Sequence, residues 1–149
     1  MITCTRKLRF CAGHRVHGHE SKCAHLHGHD YGVEVTAIVT ASKHGGRSLD
    51  DLGRVVDFSV LKERIGTWLD DTWDHRLLLW DQDPTFEGMM SLAEEEDKGI
   101  VRVPFNPTAE NIATHIGSEL CPKLLDGTGV EVVRAVVHET PNCFATWEK

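Results

Sequence analysis

The stretch His27-Gly-His29-Asp-Tyr31-Gly-Val33-Glu-Val35-Thr-Ala37-Ile-Val39 decides the fold. From Tyr31 onward its apolar residues fall on every second position, the side-chain period of a β-strand, and His27 and His29 share that parity. Upstream, Leu8-Arg-Phe10-Cys-Ala12-Gly-His14 alternates in the same way. The pattern predicts strands over residues 2–13 and 30–41, joined through a polar, His-rich loop at 15–26 into a long hairpin. Two such strands side by side would bring three imidazoles to one point. Three neutral imidazoles with an open fourth position describe a catalytic zinc site, so His14, His27 and His29 are the expected Zn2+ ligands.

Outward from the hairpin, His44-Gly-Gly-Arg breaks the alternation, and residues 47–56 read as a turn-rich connection. Leu61, Ile65, Trp68, Leu69 and Thr72 recur at helical spacing, which predicts a helix to about residue 72 with Ser59 as its cap. Leu77-Leu-Leu-Trp80 follows, then a stretch at 81–99 rich in acid and Met, where Glu94-Glu-Glu-Asp97 reads as a solvated face. A second helix starts near Asn106-Pro107-Thr108, with Asn106 or Thr108 as cap and Ile112, Ile116, Leu120 and Leu124 as its buried face. Gly127-Thr-Gly129 returns the chain to strands at 130–139 and 143–148. The order β-β-α-α-β-β predicts a single α+β domain over 1–149, an antiparallel four-stranded sheet with two helices on one face.

Composition narrows the function. At 149 residues and a formal charge of −7, the chain is one ordinary domain with no basic patch, which argues against nucleic-acid binding. The N-terminus lacks the apolar core of a signal peptide, and no run approaches the roughly 18 apolar residues that span a bilayer. Five cysteines, an odd number scattered at 4, 11, 23, 121 and 143, suit a reducing cytoplasm rather than a disulfide framework.

Cys23 lies in the loop four residues before His27 and has two readings by residue type. It could be a fourth ligand that closes the site, or a thiolate held beside the metal as a proton-transfer group. The other four cysteines fall in strand or helix patterns and read as small core residues. His17, His19, His25 and His44 read as solvated. Asp74-His75 pairs a carboxylate with an imidazole, a combination that also occurs often on plain surfaces. Glu139 continues the face of Val133, Ala135 and Val137, where a carboxylate is costly unless paired. It could accept two hydrogen bonds from an amino–imino ring edge, or simply turn to solvent.

Taken together, Phe10-x-Ala12-x-His14-Arg15, Cys23-x3-His27-Gly28-His29-x-Tyr31, Val56-Asp57-Phe58, Asp74-His75, Pro107-Thr108-x-Glu110-Asn111 and Glu139-Thr140 resemble the 6-pyruvoyltetrahydropterin synthase superfamily. The resemblance implies the tunnelling (T-) fold and a hexamer built as a dimer of trimers, with active sites at subunit interfaces. It implies zinc on His14, His27 and His29, and proton transfer by Cys23 with Asp74 and His75. It also implies a pterin anchor at Glu139, with Glu110 and Thr108 in the same pocket. The three-residue gap between Cys23 and His27 resembles the bacterial 6-carboxytetrahydropterin synthase branch of queuosine biosynthesis. That branch converts 7,8-dihydroneopterin triphosphate into 6-carboxy-5,6,7,8-tetrahydropterin, acetaldehyde and triphosphate. The alternatives are triphosphate elimination without side-chain cleavage, and a non-catalytic zinc module closed by Cys23. Residues 81–105 run longer than in the shortest relatives.

Overall fold

The computed structural model describes residues 1–40, 45, 47–92 and 99–149. His44 and the acidic run at 94–97 lie outside the described residues. Alternation does build the hairpin: β1 (Cys4–His14) and β2 (His27–Val39) pair antiparallel from Cys4↔Ala37 to His14↔His27. On β1, Leu8, Phe10, Ala12 and His14 are buried, and on β2 Tyr31, Val33, Val35 and Ala37 are buried with them. One face of the hairpin is therefore apolar, and it has to be covered.

Two helices cover it. Helix α1 runs over 58–72 and α3 over 109–124, each with a wider π turn in the middle, at Lys62–Gly66 and Ile116–Leu120. Leu61, Ile65 and Leu69 of α1, and Ile112, Ile116 and Leu120 of α3, meet the sheet in one core. Full burial of each such side chain contributes about 1.5–3 kcal/mol. The cap of α1 is Asp57, whose carboxylate accepts from the Ser59 N–H at 2.9 Å, and not Ser59 itself. Thr108 caps α3 by accepting from the Asn111 N–H at 3.2 Å.

The sheet departs from the expected four antiparallel strands. It has six strands in the order β4-β3-β1-β2-β5-β6 and is mixed. Leu77-Leu-Leu-Trp80 belongs to β3 (Arg76–Trp80), which lies parallel to β1, and β4 (Ile100–Val103) lies parallel to β3. The short helix α2 (Phe86–Leu92) falls between them in sequence. Helical connections before β3 and after it permit the parallel placement, which a tight hairpin does not. Runs of four or five apolar residues carry no alternation, so periodicity could not separate them from buried helix. On the other side, β5 (Val130–Thr140) and β6 (Cys143–Glu148) continue antiparallel.

A bulge between Thr36 and Ala37 shifts the β2–β5 register. Its extra residue moves parity by one. Val132 therefore faces the core with Ala135 and Val137, and Val133 does not. Two cysteines also differ from expectation. Cys121 is buried and Cys4 half-buried, but Cys11 and Cys143 are exposed. Cys11 sits on the outward parity of β1, and Cys143 lies at the mouth of a cavity.

Candidate active site

Strand register sets the geometry of the three imidazoles. His14 pairs with His27, and Ala12 with His29, so all three imidazoles project from the same sheet face. Their ring centroids lie 4.5, 4.9 and 5.0 Å apart, and one nitrogen from each falls within 4.8 Å of the others. The outer nitrogens are tied to backbone carbonyls: His14 Nδ1 donates to Pro107 O at 2.7 Å, and His27 Nδ1 to His25 O at 2.8 Å. Those donations fix the tautomers and leave each Nε2 as a lone pair.

The two Nε2 atoms of His14 and His27 stand 3.1 Å apart, and the buried Nε2 of His29 has no protein partner. Lone pairs this close repel unless a cation lies between them. Burial pushes the His14 imidazole down to about 4, its neighbours His27 and His29 adding to the fall against the Pro107 carbonyl. Burial, then His27, also lowers His29. Neutral imidazoles converging on one point fit a divalent metal that prefers nitrogen donors, and Cys23 is outside the cluster.

Beside the triad is a cavity of about 340 Å³ lined by Cys23, Thr108, Glu110, Glu139, Cys143 and Phe144 among others. Cys23 sits half-buried in the single turn Lys22–Ala24. Burial raises the Glu139 carboxyl, Glu110 raises it further, and His27 opposes both. Tyr31 continues the parity of His27 and His29, stacks on Phe10 at 4.9 Å, and buries a hydroxyl with no partner. Burial, then Glu139 and Cys23, raises that phenol and keeps it neutral.

Asp74 and His75 form a dyad, but elsewhere. Asp74 accepts from the Cys11 N–H at 2.7 Å and from His75 Nδ1 at 2.5 Å. The Cys11 N–H, then His75, hold the Asp74 carboxyl below its ordinary range against the effect of burial. The His75 side chain is 82% exposed and lines a second cavity with Cys11, Asp30, Arg76 and His29, which Cys23 and Glu139 do not line. Within one chain the fold thus gathers His14, His27, His29, Cys23, Glu139, Glu110 and Thr108, and sets Asp74 and His75 apart. Sequence reasoning missed Cys143 and Phe144, which line the cavity. For Cys143 a signal existed, since it opens β6 in phase with the buried Ala145. His17 is half-buried against Trp80 at 6.0 Å between ring centroids, and His19 is half-buried and lines the cavity with Cys23, so neither is the solvated residue expected.

Comparison with known proteins identifies the family. The family described as 6-pyruvoyl tetrahydropterin synthase matches residues 3–149. A Rickettsia felis protein named 6-carboxy-5,6,7,8-tetrahydropterin synthase is 42% identical over 97% of this chain and 98% of its own. A Rickettsia bellii protein of the same name is 40% identical over the same shares. Among solved structures, an uncharacterized protein from Wolinella succinogenes superposes with a TM-score of 0.82 at 24% identity, covering 99% of this chain and 98% of that one. The Caenorhabditis elegans 6-pyruvoyl tetrahydropterin synthase superposes with a TM-score of 0.66 at 23% identity, over 99% and 95%. From the three-histidine hairpin to the Glu139 strand end, the chain belongs to the 6-pyruvoyl tetrahydropterin synthase family.

Proposed function

We propose that the chain is a 6-carboxy-5,6,7,8-tetrahydropterin synthase acting on 7,8-dihydroneopterin triphosphate in 7-deazaguanine (queuosine) biosynthesis, with zinc on His14, His27 and His29. The observation that carries the reading is the convergence of three neutral imidazoles beside a cavity holding a thiol and two carboxylates. The names and near-complete coverage of the Rickettsia relatives support the product assignment. Bound zinc supplies Lewis-acid polarisation of side-chain oxygens, which acidifies the adjacent carbon-bound protons.

The residues divide the remaining work. Glu139 accepts from the amino and ring N–H groups of the pterin, with Glu110 and Thr108 beside it, and so sets the side chain over the imidazoles. Orientation of that kind supplies part of the rate. Cys23 moves a proton at the side-chain carbon within the same cavity. Asp74 holds the His75 tautomer through Nδ1, leaving Nε2 for proton transfer. Because His75 is exposed on a different cavity, the dyad serves the cavity of a neighbouring copy, in a hexamer made as a dimer of trimers. The unpaired thiols fit a reducing, cytoplasmic setting.

A second reading, elimination without side-chain cleavage, uses the same site. Incubation of the purified protein with dihydroneopterin triphosphate and mass identification of the pterin separates the two. A carboxy product with acetaldehyde supports the proposal, a pyruvoyl product selects the second reading, and absence of turnover refutes both.

A further inference from the structure

The loop between β1 and β2 carries Cys23, and it is held from outside by residues that neither the metal nor the cavity uses. Cys23 is tied back to the start of the loop, where its carbonyl accepts from the Val16 N–H at 2.8 Å. Val16 in turn sits between two fixed neighbours. On one side the guanidinium of Arg15 faces the buried carboxylate of Asp83, Nε to Oδ2 at 3.0 Å, a charge contact without hydrogen-bond alignment. The other oxygen of Asp83 is held by the Thr85 hydroxyl and N–H at 2.7 and 2.8 Å. On the other side the Asn106 amide clasps both peptide groups of His17. Its Oδ1 accepts from the His17 N–H at 2.9 Å, and its Nδ2 donates to the His17 carbonyl at 2.9 Å. Asn106 is itself pinned, since its carbonyl accepts from the Thr108 N–H at 2.8 Å and from Asn111 Nδ2 at 2.9 Å.

We infer that Asn106 is a positioning residue for Cys23: its two-point clasp on His17, opposed by the Arg15–Asp83 pair, fixes the Val16 peptide from which the Cys23 turn hangs. An amide carries its acceptor and its donors on separate atoms, so it can accept from and donate to the two peptide groups of one residue at once. The clasp joins the capping segment of α3 to the thiol's loop, and Asp83 joins the turn after β3 to it. Residues of the longer 81–105 segment therefore bear on the cavity without lining it. A shift of about 1 Å in a reacting group can cost roughly 100-fold in rate. Loss of the clasp is accordingly expected to act on turnover and on the thiol, and to leave the three imidazoles in place.

The inference rests on the proton-transfer role proposed for Cys23, and its test has an arm independent of that role. Asn106→Ala and Asp83→Asn are compared with the wild-type protein, all zinc-loaded. The expected result for each is a kcat lowered about 10- to 100-fold, a KM changed less than about threefold, and zinc per chain unchanged. Iodoacetamide labelling of the Cys23 peptide, followed by mass spectrometry, should run at least about threefold faster as the turn loosens and the thiol becomes accessible. Wild-type kcat and wild-type labelling in both variants would overturn the clasp, as would a fall in kcat matched by an equal fall in zinc. If Asn106→Ala does not fold, Asp83→Asn decides alone. A wild-type protein that labels normally but turns over no pterin triphosphate would remove the proposed function, and the labelling arm would still judge the clasp.

Discussion

Acid should unfold the metal-free protein through one residue above the others. His14 is 1% exposed, and its imidazole is held down to about 4 from an ordinary 6.5 by burial first and by His27 and His29 after it. Below pH 6.5 the unfolded chain takes up a proton at this position while the folded chain does not. Stability is therefore lost as pH falls from 6.5 toward 4, and this residue contributes no pH dependence above about 7. Linkage gives about 2 kcal/mol lost at pH 5, approaching roughly 3 kcal/mol near pH 4. The assay is urea unfolding of metal-stripped wild-type protein and of His14→Gln, each at pH 7.5 and pH 5. Carboxylates titrate in both proteins, so the difference between the two pH dependences isolates His14. Equal losses in wild type and variant would refute the account of this imidazole as a ligand kept neutral by its surroundings.

Three further outcomes follow from the cavity. His27→Ala should lose most bound zinc, measured by elemental analysis against an expected single ion per chain, and full occupancy would mean the ligands are misassigned. Cys23→Ala should keep zinc and fold, yet lose about 10²- to 10⁴-fold in turnover. Near-normal rates would remove the thiol from the mechanism. Glu139→Gln should weaken pterin binding by about 1.5–3 kcal/mol in a titration while leaving zinc affinity nearly unchanged, because an NH₂ group then faces a donor edge. Undiminished affinity would leave Glu139 a solvated strand end.

The three-histidine core of this molecule was legible because its signal is a short period. A strand fixes parity, and parity alone puts His14, His27 and His29 on one face without reference to any tertiary contact. Helices α1 and α3 were legible for the same reason, from the spacing of Leu61, Ile65 and Leu69 and of Ile112, Ile116 and Leu120. Strands β3 and β4 were not, since a run such as Leu77-Leu-Leu-Trp80 has no period to read. The bulge at Thr36/Ala37 was equally silent, and it exchanged Val133 for Val132. Asn106 reads as a helix cap in sequence, and only the folded chain shows its amide on His17, 89 residues away. Asp74-His75 is visible as a dipeptide, but which sheet face receives it is a property of the β1–β3 pairing.

His75 has one more consequence. Its backbone sits at φ 58, the only non-glycine residue at positive φ among the described residues. For an L residue with a Cβ that conformation costs about 1–2 kcal/mol. Its hydrogen bond to Asp74 is too exposed to return much of this. Glycine or asparagine would sit there more comfortably. His75→Asn should therefore melt no lower than the wild-type protein while losing turnover, and a clear drop in melting temperature would contradict the argument. A substitution that strengthens the fold and silences the enzyme is the trade-off between stability and activity, compressed into one dihedral angle.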